Sequence, residues 1–130
     1  MSLTAILVLY LAFRAKQLVC DYFLQTAWIA TVKGVPKKRD AHKALVIHAS
    51  IHAAGTFLLA LIFAPALWWL GLVDFFVHGT IDKIKSVITT KNNWGYNDTF
   101  YWWSLGIDQE AHNLTHLAYI VAIVLHSGGL

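Results

Sequence analysis

The chain has few charged residues and only one cysteine. Charged residues make up 13% of its 130 residues, whereas an ordinary soluble domain has about 25%. Together with a hydrophobic fraction of 58% and a mean hydropathy of +0.56, this argues against an ordinary soluble domain and indicates a membrane protein. The single cysteine, Cys20, excludes an internal disulfide framework.

Several common functional motifs are also missing from the chain. Gly71, Gly79 and Gly95 are isolated and there is no glycine-rich phosphate loop, and neither Ser104 nor Ser127 lies in a nucleophile elbow. The segment Met1 to Phe13 has no leading positive charge and no cleavage site after it, so we expect it to belong to the mature protein. The six tryptophans fit interfacial aromatic belts better than base stacking, and no nucleic-acid partner is expected.

Apolar segments predict an all-α fold, a four-helix transmembrane bundle in which residues 1–130 form a single integral-membrane domain. The spans are expected at about 3–32, 44–64, 66–84 and 99–127. The first is longer than the roughly 20 residues that a span needs, so it is either one long helix or two helical pieces joined near Arg14. This arrangement places both termini on one side of the membrane and the two connecting loops with basic residues on the other.

Basic residues predict the orientation of the bundle. They crowd into one loop, at Lys33, Lys37, Lys38, Arg39 and Lys43. The positive-inside rule makes this side cytoplasmic in a bacterial inner membrane, where the loop faces anionic headgroups, although a merely solvated turn is compatible with the same pattern. The lipid bilayer is therefore the expected partner, and a larger membrane complex or a homo-oligomer stays open.

Histidine and aspartate recur at helical spacing inside the apolar segments. They are His48 and His52 in the second segment, Asp74, His78 and Asp82 in the third, and Asp108, His112 and His116 in the fourth. Ionisable side chains at such depth are costly and mark a functional site by default. Counted from the predicted cytoplasmic ends, polar residues of all four segments lie roughly 10 to 16 Å deep. The sequence therefore predicts a His/Asp-rich polar centre nearer the cytoplasmic face.

Imidazoles and carboxylates at this spacing form a ligand set suited to a divalent metal, with zinc expected first and iron or manganese as alternatives. The predicted metal ligands are His48, His52, His78, Asp82, Asp108 and His112. We expect Asp21 or Asp74 to act beside them in catalysis, by positioning water or orienting the imidazoles. Because zinc lowers the pKa of water toward about 7, the expected activity is metal-dependent hydrolysis of a lipid or another amphiphile.

Two other functions use the same residue types. The polar residues could form a structural network in a non-enzymatic subunit of a larger membrane complex, or a path in a small ion or proton carrier. Single residues also have simpler interpretations: Asp82 could pair with Lys85 at i+3, and Lys16 could either extend to an interface or pair with another segment. We expect His42 and His126 to have structural or interfacial roles.

The ordered motifs resemble a known family. These motifs are, in chain order, Asp21-Tyr22-Phe23-Leu24-Gln25, His48-x3-His52, His78-x3-Asp82-x2-Lys85 and Asp108-Gln109-x2-His112. This set resembles the small multi-spanning membrane proteins of bacteria and phages described as a domain of unknown function, with the pattern HxxxD(F/Y)xLQ … HxxxH … HxxxDxxK … DQxxH. Two positions depart from the expected pattern, because Gln17 and Asn113 stand where histidines would be expected. The resemblance supports the membrane assignment and the candidate residues, and it implies no particular activity.

Overall fold

The computed structural model describes residues 1–129, so the last residue of the predicted domain lies outside the described range. Within that range the chain is all-helical, and it contains no strand. The five α-helices are α1 (Leu3–Leu18), α2 (Ala27–Val32), α3 (Ala41–Phe63), α4 (Leu70–Lys91) and α5 (Thr99–His126). A π-helical turn, Val19–Phe23, continues α1, and a 3₁₀ turn, Pro65–Leu67, precedes α4. The all-α fold class is therefore confirmed.

The first predicted segment consists of two helical pieces, but they are not joined near Arg14. Helix α1 runs through Arg14 without interruption and passes into the π-helical turn, which closes with a hydrogen bond from the amide of Leu24 to the carbonyl of Val19 (2.9 Å). A new helix begins after Thr26, whose Oγ1 accepts a hydrogen bond from the amide of Ile29 (3.2 Å). The expected joint at Arg14 is wrong because a helical residue with a long charged side chain does not by itself interrupt a helix, whereas a capping threonine starts one.

Helices α3 and α4 form a closely packed hairpin. Pro65 starts the 3₁₀ turn that reverses the chain between them, as expected from the sequence. Shortly after this turn, a Cβ on Gly71 would lie 2.8 Å from Cβ of Phe57 and 3.1 Å from the carbonyl oxygen of Ala53. The absence of a side chain at Gly71 therefore allows the two helix backbones to approach each other at the start of α4.

We expect Gly71→Ala to destabilise the protein by about 1 to 3 kcal/mol, because the added methyl group would overpack this contact. Gly106→Ala is the matched control, since a Cβ at Gly106 meets no atom within 4 Å among residues 1–129. Removing that helical glycine should be neutral or stabilising by up to about 1 kcal/mol. Unfolding of both variants in mixed detergent and sodium dodecyl sulfate measures the difference. Equal stabilities would contradict the close approach of α3 and α4.

Along the middle of α4, aspartate and histidine side chains are buried and apolar side chains face outward. Asp74, His78 and Asp82 repeat every four residues along α4, and each is only 1% exposed, whereas Phe76 between them is 68% exposed. Ile107 on α5 is 72% exposed in the same way. A water-soluble protein shows the opposite distribution. Two helical segments, Leu3–Phe23 and Ala41–Phe63, are long and apolar enough to cross a membrane.

Apolar and polar side chains fill opposite ends of the bundle. Leu9, Phe13, Leu70 and Ile123 pack together at the end that carries the 3₁₀ turn. The chain termini meet at this end, where the N-terminal ammonium lies 2.6 Å from the carbonyl oxygen of Gly129. The buried histidines and aspartates lie further along the bundle, toward the loops that carry the basic residues.

Candidate metal centre

The first group of possible ligands connects the π-helical turn with α3 and α4. Asp21, His48, His52 and His78 each offer one ligand atom, and these atoms lie within 4.8 Å of one another. Oδ1 of Asp21 is 3.1 Å from Nε2 of His48 and 2.8 Å from Nε2 of His52. The two histidines are one helical turn apart on α3, so both imidazoles reach the same carboxylate.

The second group connects α4 with α5 and shares His78 with the first. His78, Asp82 and His112 offer ligand atoms that again lie within 4.8 Å of one another. The carboxylate of Asp82 lies between the imidazoles, with Oδ2 3.4 Å from Nε2 of His78 and Oδ1 3.2 Å from Nε2 of His112. Oδ1 of Asp108 lies 3.4 Å from Nε2 of His112 on the other side. The six predicted ligands and Asp21 are thus in one continuous cluster, as the depth comparison predicted.

Many polar atoms in this cluster have no hydrogen-bond partner among the described residues. Both ring nitrogens of His48 and of His78, Nδ1 of His52, and Oδ1 of Asp108 are buried and form no hydrogen bond of acceptable geometry, although three of these atoms lie within 3.4 Å of a carboxylate or imidazole of the cluster. Buried polar atoms are nearly always hydrogen-bonded, and each exception needs an explanation. Several imidazole nitrogens without partners, placed beside carboxylates, are expected where a metal ion is to be bound.

The spacing of the donor atoms also fits a metal ion. Metal–ligand bonds of about 2.1 Å in tetrahedral geometry separate the ligand atoms by about 3.4 Å. Aspartate oxygens and histidine nitrogens in the cluster are 3.1 to 3.4 Å apart for five pairs: Asp21–His48, Asp82–His48, Asp82–His78, Asp82–His112 and Asp108–His112. Imidazole nitrogen and carboxylate oxygen together form a donor set that accepts zinc, iron or manganese.

Asp21 lies in the first group of possible ligands. Its predicted role, to position water or orient the imidazoles, stays a prediction. Gln17 supports this aspartate, since Nε2 of Gln17 donates a hydrogen bond to Oδ2 of Asp21 (2.5 Å). Gln25 donates to the backbone carbonyl of Asp21 (3.1 Å), within the π-helical turn. Gln17 therefore orients the carboxylate while leaving Oδ1 directed at the two histidines, and π-helical turns are frequent at functional sites.

Lys33 is the residue of the centre that sequence reasoning missed. Its Nζ lies 2.8 Å from Oδ2 of Asp82, and its side chain is 9% exposed. Its backbone carbonyl accepts a hydrogen bond from Oγ of Ser86 (3.0 Å). The sequence placed Lys33 in the cytoplasmic loop and offered Lys85 as the partner of Asp82. No short-range spacing links Lys33 to Asp82, so only the folded chain identifies this pair.

Asp74 belongs to a second polar network between the metal centre and the apolar core. Its Oδ2 accepts hydrogen bonds from Lys16 (2.8 Å) and Thr56 (2.6 Å), and its Oδ1 from Tyr119 (3.2 Å). Nζ of Lys16 also lies 3.1 Å from Nε2 of His116. In the described part of the chain Asp74 makes no hydrogen bond to a predicted metal ligand, so its proposed role beside the metal stays a prediction. Lys16 pairs with another helix and does not extend to the surface.

His42, His126 and one of the two sequence departures, Asn113, lie outside the centre. His42 and His126 are exposed, as expected for interfacial residues. Asn113 accepts a hydrogen bond from the exposed Arg14, away from the buried imidazoles. Gln17 therefore lies at the metal centre, whereas Asn113 lies outside it, beside the exposed Arg14.

The fold and the centre define an all-helical protein with apolar helices long enough to span a membrane and buried His/Asp groups able to hold a metal ion. The chain belongs to the family described as a protein of unknown function (DUF3307), which matches residues 6–129. The resemblance to a domain-of-unknown-function family is therefore confirmed, while the individual motif positions stay predictions. No curated protein and no solved structure matches the chain.

Proposed function

We propose that this protein is an integral membrane protein that binds a divalent metal in its His/Asp cluster and uses it to hydrolyse a lipid or another amphiphile. The observation that carries the proposal is the set of imidazole nitrogens of His48, His52 and His78 that make no hydrogen bond although they are buried beside the carboxylates of Asp21 and Asp82. A purely structural network would pair these atoms with one another or with backbone groups.

The charge of the cluster supports one divalent ion. With neutral imidazoles, the carboxylates of Asp21, Asp82 and Asp108 carry three negative charges, and the ammonium of Lys33 offsets one of them. The two negative charges that are left match one divalent ion, and without a metal they would have to be balanced by protons on the imidazoles. The neighbouring Lys16–Asp74 pair neutralises itself and needs no ion. About one divalent metal ion per chain restores neutrality.

The lengths of α4 and α5 support four membrane spans, because these two helices are long enough to cross a bilayer in addition to the two most apolar segments. Helix α4 has 22 residues and α5 has 28, so they are about 33 and 42 Å long, enough to cross a bilayer core of about 30 Å. The aspartates and histidines at 74–82 and 108–116 face the bundle interior, and the large exposed side chains are mostly apolar, with Glu110 on α5 an exposed charged residue. We propose a bacterial inner membrane with the basic loops in the cytoplasm, which places the metal centre nearer that face.

The residues of the centre have distinct roles in this proposal. A bound metal supplies a Lewis acid that activates water and polarises the bond to be cleaved. His48, His52, His78, Asp82 and His112 hold the ion, with Asp21 as an additional ligand on the first group. Gln17 orients Asp21, and Lys33 fixes Oδ2 of Asp82. Asp108, with its free Oδ1 beside His112, is placed to accept a proton from water or to complete the ligand set.

We expect His112→Ala to remove most of the bound metal, since His112 contacts both Asp82 and Asp108. His126→Ala, an exposed substitution on the same helix, is the control and should keep the wild-type metal content. Elemental analysis of detergent-purified protein, prepared without chelators and with a single size-exclusion peak, measures zinc, iron and manganese per chain. Unchanged metal in His112→Ala, or no metal in the wild-type protein, would contradict the proposal.

A further inference from the structure

A groove on the membrane-facing side of α4 and α5 ends beside the metal centre. It has a volume of about 440 Å³, within the range of about 300 to 1,000 Å³ that is usual for ligand pockets. Its wall is apolar, formed in part by Ile84 and Ile88 of α4 and by Trp103 and Ile107 of α5. Asp108 also lines it. The groove is therefore separated from His112 by the Asp108 side chain.

The groove has polar features at two heights. Asp108 is 5% exposed and its Oδ1 has no hydrogen-bond partner among residues 1–129. Lys85 lines the groove as well, and it takes no part in the ion pairs of that range, because Asp82 is bonded to Lys33. Since Asp82 and Asp108 both contact His112, they lie at one level, and Lys85 lies about one helical turn, roughly 5 Å, nearer the loop end.

These positions match the layout of an anionic amphiphile in a membrane. A charged head near the interface would meet the Lys85 ammonium, on the side of the bundle that carries the basic loops. The aromatic ring of Trp94, also in the groove wall, lies at this interfacial end. An alkyl chain would lie against the isoleucines, and the polar linkage below the head would come to the level of Asp108.

We propose that the groove between α4 and α5 is the substrate site and that it binds an amphiphile with an anionic head and an alkyl chain. This inference rests on the proposed function for its metal-dependent chemistry, but the binding itself requires no metal. The charge of the groove indicates the class of ligand. Lys85 is the one cation among the residues that line it and has no ion-pair partner among the described residues, which favours an anionic head, and the apolar wall excludes a strongly hydrated ligand. A zwitterionic lipid would gain less from Lys85 than an anionic one.

Photo-crosslinking in phosphatidylcholine nanodiscs tests the site with the full-length protein. The probe is an alkyl phosphate with a diazirine in its chain, and its matched comparison is an alkyl phosphocholine with the same chain. We expect the phosphate probe to label the groove walls at 81–88 and 103–111 about fivefold more strongly than the phosphocholine probe, the effect of one lysine on an anionic headgroup. Equal labelling by both probes, or label spread evenly over α1 and α3, would overturn the proposal.

Matched charge variants decide whether Lys85 is responsible. Lys85→Gln should abolish the preference for phosphate, whereas Lys91→Gln, which removes an exposed charge from the same end of α4 outside the groove, should keep it. Ile107→Trp should fill the groove and reduce labelling by both probes. The same preference in Lys85→Gln as in Lys91→Gln would overturn the assignment.

Metal measurements separate this inference from the proposed function. Lys85→Gln and Ile107→Trp should retain wild-type metal, because neither residue is a predicted ligand. Phosphate-selective labelling should persist after treatment with a chelator. Selective labelling in a protein that binds no metal would refute the metal proposal and keep the groove, whereas metal binding without selective labelling would refute the groove and keep the metal site.

Discussion

Asp82→Asn is expected to lose both metal binding and a large part of the stability of the bundle. The carboxylate contacts His78, His112 and Lys33, and it is 1% exposed. The amide keeps the shape but removes the charge, so the buried Lys33 ammonium loses its partner. Breaking a buried ion pair by removing one partner costs about 3 to 5 kcal/mol. Unfolding in chelator-treated protein measures the effect of the pair alone, and elemental analysis measures the metal.

A double variant separates the two effects of Asp82. Adding Lys33→Met to Asp82→Asn removes the unpaired cation and should recover most of the lost stability, while the metal content should stay low. Recovery of both would mean that Lys33, and not the lost carboxylate, had prevented metal binding. A stable Asp82→Asn protein with wild-type metal would contradict the role of Asp82 in the centre.

The depth of the polar centre within the bundle could be predicted, because it depends only on helix geometry and on the spacing of the polar residues in the sequence. His48 and His52 on α3, and His78 and Asp82 on α4, share helix faces through their four-residue separation. Because neighbouring helices are antiparallel, residues at the same distance from the loop end of the bundle then lie side by side. Their burial could be predicted as well, because ionisable side chains in membrane-spanning segments would face the bundle interior.

The pairing of the lysines could not be predicted, since it depends on side chains reaching between distant segments. Lys33 follows α2 directly, and its range of possible partners is wide because the lysine side chain is long and flexible. Lys16 reaches Asp74 past Gly55, where a Cβ would lie 2.9 Å from Cγ of Lys16. The π-helical turn around Asp21 has no simple sequence signature either, so the contacts of Asp21 with His48 and His52 could not be predicted.

The second polar network contrasts with the metal centre, because the carboxylate at its centre, Asp74, has hydrogen-bond partners and a cation without any metal. The carboxylate of Asp74 accepts hydrogen bonds from Lys16, Thr56 and Tyr119. We expect Lys16→Met to destabilise the protein by about 3 to 5 kcal/mol, since it leaves Asp74 charged and buried without a cation. Metal content should stay at the wild-type level, because neither residue of the pair contacts a predicted ligand. Detergent unfolding and elemental analysis provide the two readouts.

The double variant Lys16→Met, Asp74→Leu shows whether the network is structural. Replacing a buried ion pair by apolar residues is often neutral or stabilising by about 1 to 4 kcal/mol, so this variant should be at least as stable as Lys16→Met and should keep its metal. Loss of metal in the double variant would instead make Asp74 part of the metal centre, as the sequence first predicted. Loss of proton flux in liposomes, with metal retained, would favour the carrier function, since the Lys16–Asp74–His116 contacts would then form its path.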